Sequence, residues 1–365
     1  MDRYQGQRNE AQYGNIEDIV QDVHVIGSNF GCSQKACQDE DKATSTYGRV
    51  STGMDLSTLM FGSEGNCGII TSAIVKIWPL PETTAYNGII FASFEDGLKF
   101  VREVAKLSSS KPASVRLLDN EQFRLGQTLR KECAGIAWIV EYLMKMVSAW
   151  TNAFSPSKAV CATIAYEGSA DEVKYQQQHI GRIASSFGGI STGPRTGRSG
   201  YDLTFAIAYL RDFAMSYQFL AESFETFVPW SKVEEVVVRT KERIVQEHRK
   251  RFLPGNPIIS SRVTQLYDNG ACVYFYFCMN YEGIAEPSRV YGEIEAAARD
   301  EILLCGGSLS HHHGVGKLRA PFMPRISSET HRRSLLDVKK SLDPLDVFGV
   351  RNGPFAMKSG EEIQR

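Results

Sequence analysis

SRVTQLYDNGACVYFYFCMNYEG, residues 261–283, is the stretch that decides the fold of this chain. Its run Val273–Phe277 is a valine followed by alternating tyrosines and phenylalanines, and it predicts a strand that is buried on both faces. Asp268–Gly270, just before it, is turn chemistry, because Asn and Gly tolerate positive φ. A helical pattern over residues 286–307 follows, and GGSLSHHHGVGK, residues 306–317, then forms a glycine-bounded loop with three histidines. This unit puts a phenol and several imidazoles on segments that one crossover can bring together.

Each of these residues also has an ordinary structural interpretation. A tyrosine in a buried strand is usually a core residue whose hydroxyl finds a partner. The histidine run is internal and short, so a purification tag is not indicated. Neighbouring residues in an extended loop point alternately, so at most two of the histidines can face one site. Their spacing suits a structural zinc poorly, whereas histidine suits acid–base chemistry near neutral pH.

Composition places the chain among ordinary globular proteins. It has 365 residues, 42% hydrophobic and 23% charged, with a net charge of −1, which gives no reason to expect nucleic-acid binding. The most apolar segment, AGIAWIVEYLMKMVSAW (residues 134–150), is interrupted by Glu141 and Lys145. We therefore expect an amphipathic or buried helix there, or one that touches lipid. Eight cysteines without a CxxC pair indicate a reducing compartment and no disulfide framework.

A second informative stretch is LSTLMFGSEGNCGIITSAIVKI, residues 56–77. Three glycines precede a predicted strand, Ile69–Ile77. Glycines in this position allow close backbone approach to a flat or phosphorylated ligand, although such turns are commonly just turns. After Pro79 and Pro81 the pattern changes to short strands alternating with amphipathic helices. This alternation predicts an α+β domain with an antiparallel sheet.

Three arginines sit in otherwise apolar or aromatic segments: Arg116, Arg211 and Arg262. A guanidinium in such a setting must be paired. The pairing is either structural or functional, since guanidinium also matches phosphate by a bidentate fork. The candidate structural partners are Asp119, Asp212 and Glu225.

These motifs resemble the alkyldihydroxyacetonephosphate synthase (alkylglycerone-phosphate synthase) family, within the vanillyl-alcohol-oxidase-type flavoprotein superfamily. The likeness is carried first by YDNGACVYFYF and GGSLSHHHGVGKLR, and it extends over nearly the whole chain. It covers only the later part of the family's sequence. The other matching segments, in order, are YGNIED from Tyr13, RVSTGMDLSTLMFGSEG from Arg49, PASVRLLDNEQF from Pro112, SGYDLTFAIAYLRDF from Ser199, ESFETFVPW from Glu222 and DPLDVFGVRN from Asp343.

The resemblance implies an α+β fold in three parts. Residues 1–83 would form the C-terminal half of an FAD-binding (PCMH-type) domain, and residues 84–325 a cap domain with an antiparallel sheet. Residues 326–365 would form a C-terminal helix and tail that pack at the interface. The family's segment upstream of YGNIED has no counterpart here, so we expect an N-terminally truncated chain that holds FAD weakly.

The resemblance also implies a reaction. The family exchanges the acyl chain of acyl-dihydroxyacetone phosphate for a fatty alcohol in ether-lipid biosynthesis, and FAD acts as a covalent trap without net redox change. Tyr274 would exchange the substrate C1 proton, and Arg211 would hold the substrate phosphate. No metal is expected. The remaining implied catalytic residues are His311, His312, His313 and Arg116, and the implied FAD contacts are Glu64, Gly65, Asn66, Cys67, Gly68, Ile69 and Ile70.

Location and partners follow from the same resemblance. It implies a peroxisomal transferase, although the C-terminus is not of the Ser-Lys-Leu type. Peripheral membrane contact and a homodimer are further expectations. Three alternatives stay open: a truncated, non-catalytic paralogue; a flavin-dependent 2-hydroxy acid dehydrogenase of the same superfamily; and a metal-binding role for the histidines. Tyr274 and the histidine run argue against the dehydrogenase.

Overall fold

A computed structural model describes residues 13–28, 31–33, 57–107, 110–128 and 155–356. Within these residues the chain divides into two compact units. The larger unit is built from Tyr13 and residues 80–311, and the smaller one from residues 14–79 and 312–356. The predicted boundaries after residues 83 and 325, which the family resemblance implies, stay a prediction.

The described residues contain ten strands and nine α-helices. In chain order the strands are β1 Val20–Ile26, β2 Gly31–Ser33, β3 Ile69–Val75, β4 Thr83–Phe91, β5 Ser114–Leu118, β6 Val160–Gly168, β7 Ile190–Gly193, β8 Phe219–Pro229, β9 Ile258–Leu266 and β10 Gly270–Asn280. The helices are α1 Ile16–Ile19, α2 Phe94–Ala105, α3 Asn120–Thr128, α4 Ala170–Ser186, α5 Pro194–Met215, α6 Val233–Lys250, α7 Pro287–Leu304, α8 Met323–Ile326 and α9 Glu329–Leu342.

The larger unit is a seven-stranded antiparallel sheet with strand order β7-β4-β6-β5-β9-β10-β8. Helices α2, α4, α6 and α7 cover one face and bury the main core. Phe100 of α2 packs on Phe91 of β4 with ring centroids 5.0 Å apart. Tyr291 of α7 stacks on Phe277 of β10 at 4.7 Å. Apolar residues at helical spacing thus meet the apolar face of alternating strands, as the α+β pattern predicts.

Helix α5 lies on the opposite face of this sheet and approaches it unusually closely. A Cβ added at Gly197 would lie 2.5 Å from the carbonyl oxygen of Asn87 in β4. One added at Gly200 would lie 2.6 Å from the side chain of Thr163 in β6. The two glycines therefore let the helix backbone rest on the strands. The matching segment SGYDLTFAIAYLRDF, which begins at Ser199, lies within this helix.

Strand β10 is not buried on both faces, so that expectation is wrong. Val273, Phe275 and Phe277 are fully buried on the helix-covered face. Tyr274 and Tyr276, on the other face, are only half-buried. The tyrosine–phenylalanine alternation is explained by this difference, because the phenol oxygens need polar surroundings and the phenyl rings do not.

The smaller unit contains a three-stranded antiparallel sheet with strand order β2-β1-β3. Its small core is formed by Val23, Val25, Met60, Cys67 and Phe355. Most side chains of β3 are exposed.

The α+β fold class with an antiparallel sheet is confirmed. One expectation, the amphipathic or buried helix at residues 134–150, lies outside the described residues. None of the described helices combines the length and the apolar character that a membrane crossing requires.

Candidate functional site

The face of the larger sheet opposite the four-helix layer carries the candidate site. Across β8, β10 and β9 the register places Glu225, Tyr274 and Arg262 side by side. Arg116 of β5 lies on the same side, because Leu118, two residues further, pairs with Arg262. We call Arg116, Glu225, Arg262, Tyr274 and Tyr276 the polar face.

Tyr274 is surrounded by a cation and a second phenol. The guanidinium carbon of Arg262 lies 5.5 Å from the ring centroid of Tyr274 and 5.3 Å from that of Tyr276. Arg262 Nη2 donates a hydrogen bond of 2.6 Å to Tyr276 Oη. Burial raises the pKa of Tyr274 above its ordinary value, and the nearby Cys272, Tyr276 and Glu225 add to this, while Arg262 opposes it. Arg262 is therefore a cation beside Tyr274 that opposes this rise, but burial outweighs it and the net shift of the pKa is upward.

Arg116 pairs with the aromatic surface of helix α5. Its guanidinium carbon lies 4.4 Å from the ring centroid of Tyr201, and both residues are buried. Burial raises the pKa of the Tyr201 phenol, against the opposing field of Arg116. Arg116 thus belongs to the polar face and anchors α5 to it by a cation–π contact.

Arg211 lies at the surface and has carboxylate partners of its own. Its Nη1 is 3.0 Å from Glu222 Oε1 and its Nε is 3.6 Å from Asp212 Oδ1, with 46% of the side chain exposed. Exposed pairs of this kind contribute little to stability, about 0–1 kcal/mol. The structural partner Asp212 that the sequence suggested is thus present, and the phosphate role of Arg211 stays a prediction.

The histidine segment is fixed where it leaves helix α7. Glu225, fully buried, accepts hydrogen bonds from Ser310 Oγ at 2.7 Å and from the His311 backbone N–H at 2.5 Å. Tyr267 Oη and His311 Nε2 lie 2.7 Å apart. Arg299 donates to the carbonyl oxygen of Leu309 at 2.6 Å. Glu225, Tyr267 and Arg299 therefore fix residues 309–311 through both side-chain and backbone hydrogen bonds.

His312 and His313, by contrast, are exposed, and their rings meet edge to face at 4.7 Å. Their predicted catalytic roles stay predictions. Sequence reasoning missed Tyr267, and it named Glu225 only as an arginine partner. The carboxylate between Phe224 and Phe227 was the available signal, because a buried charge needs a defined partner.

The predicted FAD contacts in GSEGNCG divide into two groups. In the first group the side chains serve the smaller unit itself. Glu64 accepts hydrogen bonds from the backbone N–H groups of Val315 at 2.6 Å and Gly316 at 2.8 Å. Asn66 donates to the carbonyl oxygen of Asn352 and accepts from its N–H, both at 3.3 Å. Cys67 is buried in the core.

The second group fits a flat cofactor. Gly65 is exposed with φ of +78°, and Ile69 and Ile70 are 58% and 47% exposed. They offer open main chain and apolar surface, which suit a ring system. A Cβ on Gly68 would lie 2.7 Å from Val25, so this glycine serves packing within the sheet. Gly65, Ile69 and Ile70 therefore fit FAD through main-chain and apolar contact. The assignment of all seven residues as FAD contacts stays a prediction.

Comparisons with known proteins identify the family. A profile described as FAD linked oxidases, C-terminal domain, matches residues 80–350. Alkyldihydroxyacetonephosphate synthase of Caenorhabditis elegans is 41% identical over 349 residues, which are 93% of this chain and 56% of the relative. That of Trypanosoma brucei brucei is 27% identical over 339 residues, 92% of this chain and 52% of the relative. The chain thus spans about half the length of these curated relatives.

Solved structures agree on the fold. A structure of alkyldihydroxyacetonephosphate synthase in P1 matches with a TM-score of 0.69 and 19% identity, covering 94% of this chain and 55% of that one. A 4-ethylphenol oxidase from Gulosibacter chungangensis matches with a TM-score of 0.64 and 13% identity, covering 93% and 66%. The predicted resemblance and the prediction of FAD as the cofactor are confirmed at the level of the family. Because the profile matches most of this chain, the chain belongs to the FAD linked oxidases and carries their C-terminal domain.

Proposed function

We propose that this chain takes part in an alkyldihydroxyacetonephosphate synthase reaction, in which a fatty alcohol replaces the acyl chain of acyl-dihydroxyacetone phosphate. The observation that supports the proposal most directly is Tyr274 on the polar face, with the guanidinium of Arg262 5.5 Å from its ring. The identity of 41% to the Caenorhabditis elegans synthase points to the same reaction.

Tyr274 and His311 would each carry out one of the proton transfers. Tyr274 takes up and returns the proton at substrate C1, and Arg262 favours the phenolate that this requires. His311, oriented by Tyr267, is placed to take up the proton that the incoming alcohol releases. FAD, when bound, supplies an electron-accepting ring without a net change of redox state.

The proposal extends to partners and location. The substrates are an acyl-dihydroxyacetone phosphate and a fatty alcohol, and the compartment is the peroxisome. Contact with a membrane surface follows from the long apolar chains of both substrates, and a homodimer is proposed from the resemblance alone.

Tyr274→Phe tests the proposal in the purified chain supplied with FAD. Phe keeps the ring and removes only the hydroxyl, so we expect alkyl-dihydroxyacetone phosphate formation to fall by about 100-fold or more, with unchanged thermal stability. The measurement is conversion of a palmitoyl substrate and hexadecanol, followed by mass spectrometry.

Tyr175→Phe is the matched control for this test, because Tyr175 lies on α4 over the opposite face and is 53% exposed. It should retain full activity. Equal activity of the Tyr274→Phe variant and the unsubstituted chain would remove Tyr274 from the proton-transfer step. A chain without any turnover would favour the non-catalytic paralogue.

A further inference from the structure

Arg262 is a buried guanidinium whose hydrogen-bonding capacity is only partly used. The residue is 9% exposed and donates through Nη2 to Tyr276 Oη. Its Nε has no hydrogen-bond partner among the described residues. No carboxylate of the described part of the chain lies within ion-pair distance of it. A buried charge in this condition is costly unless an anion completes it.

The formal charges of the polar face leave room for one negative charge. Arg116 and Arg262 contribute +2 and Glu225 contributes −1, which gives +1. The two oxygens of Glu225 accept from Ser310 and His311, respectively. Arg116 in turn lies on the ring of Tyr201. The balance therefore fits a monoanion held at Arg262.

We propose that Arg262 binds the carboxylate of the fatty acid that leaves the substrate. This inference rests on the proposed function. In that exchange the C1–O bond to the acyl group breaks and its electron pair leaves on the carboxylate. The alcohol oxygen forms the new C1–O bond and releases its proton. One product is thus a monoanion with an apolar tail.

The surroundings of Arg262 suit such a product. The rings of Tyr274 and Tyr276 lie 6.0 Å apart and nearly parallel, and they flank the guanidinium with apolar surface. The Nε–H and the remaining Nη hydrogens offer the fork that a carboxylate accepts. A phosphate monoester, which carries close to two charges near neutral pH, would leave one charge uncompensated here.

Binding of hexanoate, a soluble carboxylate, tests the proposal by calorimetry with FAD added in excess. We expect hexanoate to bind the unsubstituted chain, and Arg262→Gln to weaken binding by about tenfold or more. Arg262→Lys keeps the charge without the fork and should fall between the two. Arg289→Gln is the matched control, because Arg289 is 61% exposed and pairs with Glu286 and Glu293 at the surface. It should bind hexanoate as the unsubstituted chain does.

Two further ligands separate the sources of affinity. The affinity for hexanol, which carries no charge, should be the same in Arg262→Gln as in the unsubstituted chain. Inorganic phosphate should not displace hexanoate. Absence of hexanoate binding, displacement by phosphate at equal concentration, or equal affinities in the unsubstituted chain and a folded Arg262→Gln variant would each overturn the proposal. The variant's folding is checked by its thermal transition.

The experiments distinguish failure of the carboxylate site from failure of the proposed synthase reaction. A chain that binds hexanoate through Arg262 but forms no ether product supports the carboxylate site and contradicts the synthase reaction. A chain that forms the product with inhibition by fatty acid unchanged in Arg262→Lys supports the reaction and contradicts the site.

Discussion

Glu225 shows how a single residue can organise the start of the histidine segment. It is fully buried on β8, and its two carboxylate oxygens receive one side-chain and one backbone hydrogen bond from Ser310 and His311. Because the register also places it beside Tyr274, the same side chain fixes the histidine and raises the phenol's pKa. The carboxylate that positions His311 thus also raises the pKa of Tyr274, and the charge of Arg262 acts in the opposite direction.

Glu225→Gln tests this role. The amide keeps the size but turns one acceptor into a donor that faces a donor, so we expect a loss of about 1–3 kcal/mol in the free energy of unfolding. Urea denaturation measures it. Glu282→Gln, at an exposed position, should stay within about 0.5 kcal/mol of the unsubstituted chain. A change no larger at Glu225 than at Glu282 would show that the two hydrogen bonds do not fix the segment.

At the scale of elements, the strands and helices with strong periodicity were predictable. The strand predicted at Ile69–Ile77 is observed as β3, Ile69–Val75, and helix α7 ends at Leu304, close to the predicted glycine break. Strand β7 was missed because ISTG is short, polar and at the sheet edge. The first turns of α5 were missed because Gly197 and Gly200 lower helix propensity. Their function is close packing on β4 and β6, which only the tertiary structure reveals.

Asp343, at the end of helix α9, carries a carboxylate whose contribution to the stability of the fold depends on pH. Burial alone would raise the pKa of Asp343, but hydrogen bonds from Lys339 and from the backbone N–H groups of Phe348 and Val347 outweigh it and hold the pKa at about 2, against an ordinary 3.8. A depressed folded-state pKa stabilises the fold above the unfolded value, and this stability is lost as the pH falls from 3.8 towards 2.

We therefore expect Asp343→Asn to lower the free energy of unfolding by about 2 kcal/mol at pH 7. The difference from the unsubstituted chain should shrink steadily below about pH 4. Urea denaturation between pH 7 and 3 measures both. Asp337→Asn, exposed on the same helix, should change little at either pH. A loss at Asp343 that is independent of pH would mean that its charge plays no part.

At the scale of the whole molecule, the smaller unit is discontinuous in sequence. Its two parts, residues 14–79 and 312–356 as far as described, come from either side of the larger unit in the chain. Glu64 and Asn66 join them through hydrogen bonds to residues 315, 316 and 352. The sequence marked GSEG and DPLDVFGVRN as separate motifs, but it could not show that they bond to each other. Such long-range pairing leaves no local periodicity, because it depends on loop closure across the intervening chain.

Asn66→Ala should therefore loosen a segment that is 286 residues away in sequence. The substitution removes the amide that Asn352 N–H donates to and the donor to its carbonyl oxygen, and Asn66 is fully buried, so water cannot readily replace them. We expect faster hydrogen exchange in peptides covering residues 350–355, in addition to those around residue 66, with a cost of about 1–3 kcal/mol in local opening free energy. Asn256→Ala, at an exposed position between α6 and β9, is the matched control and should leave both regions unchanged. If exchange rises only around residue 66, the hydrogen bonds between Asn66 and Asn352 do not support the distant segment.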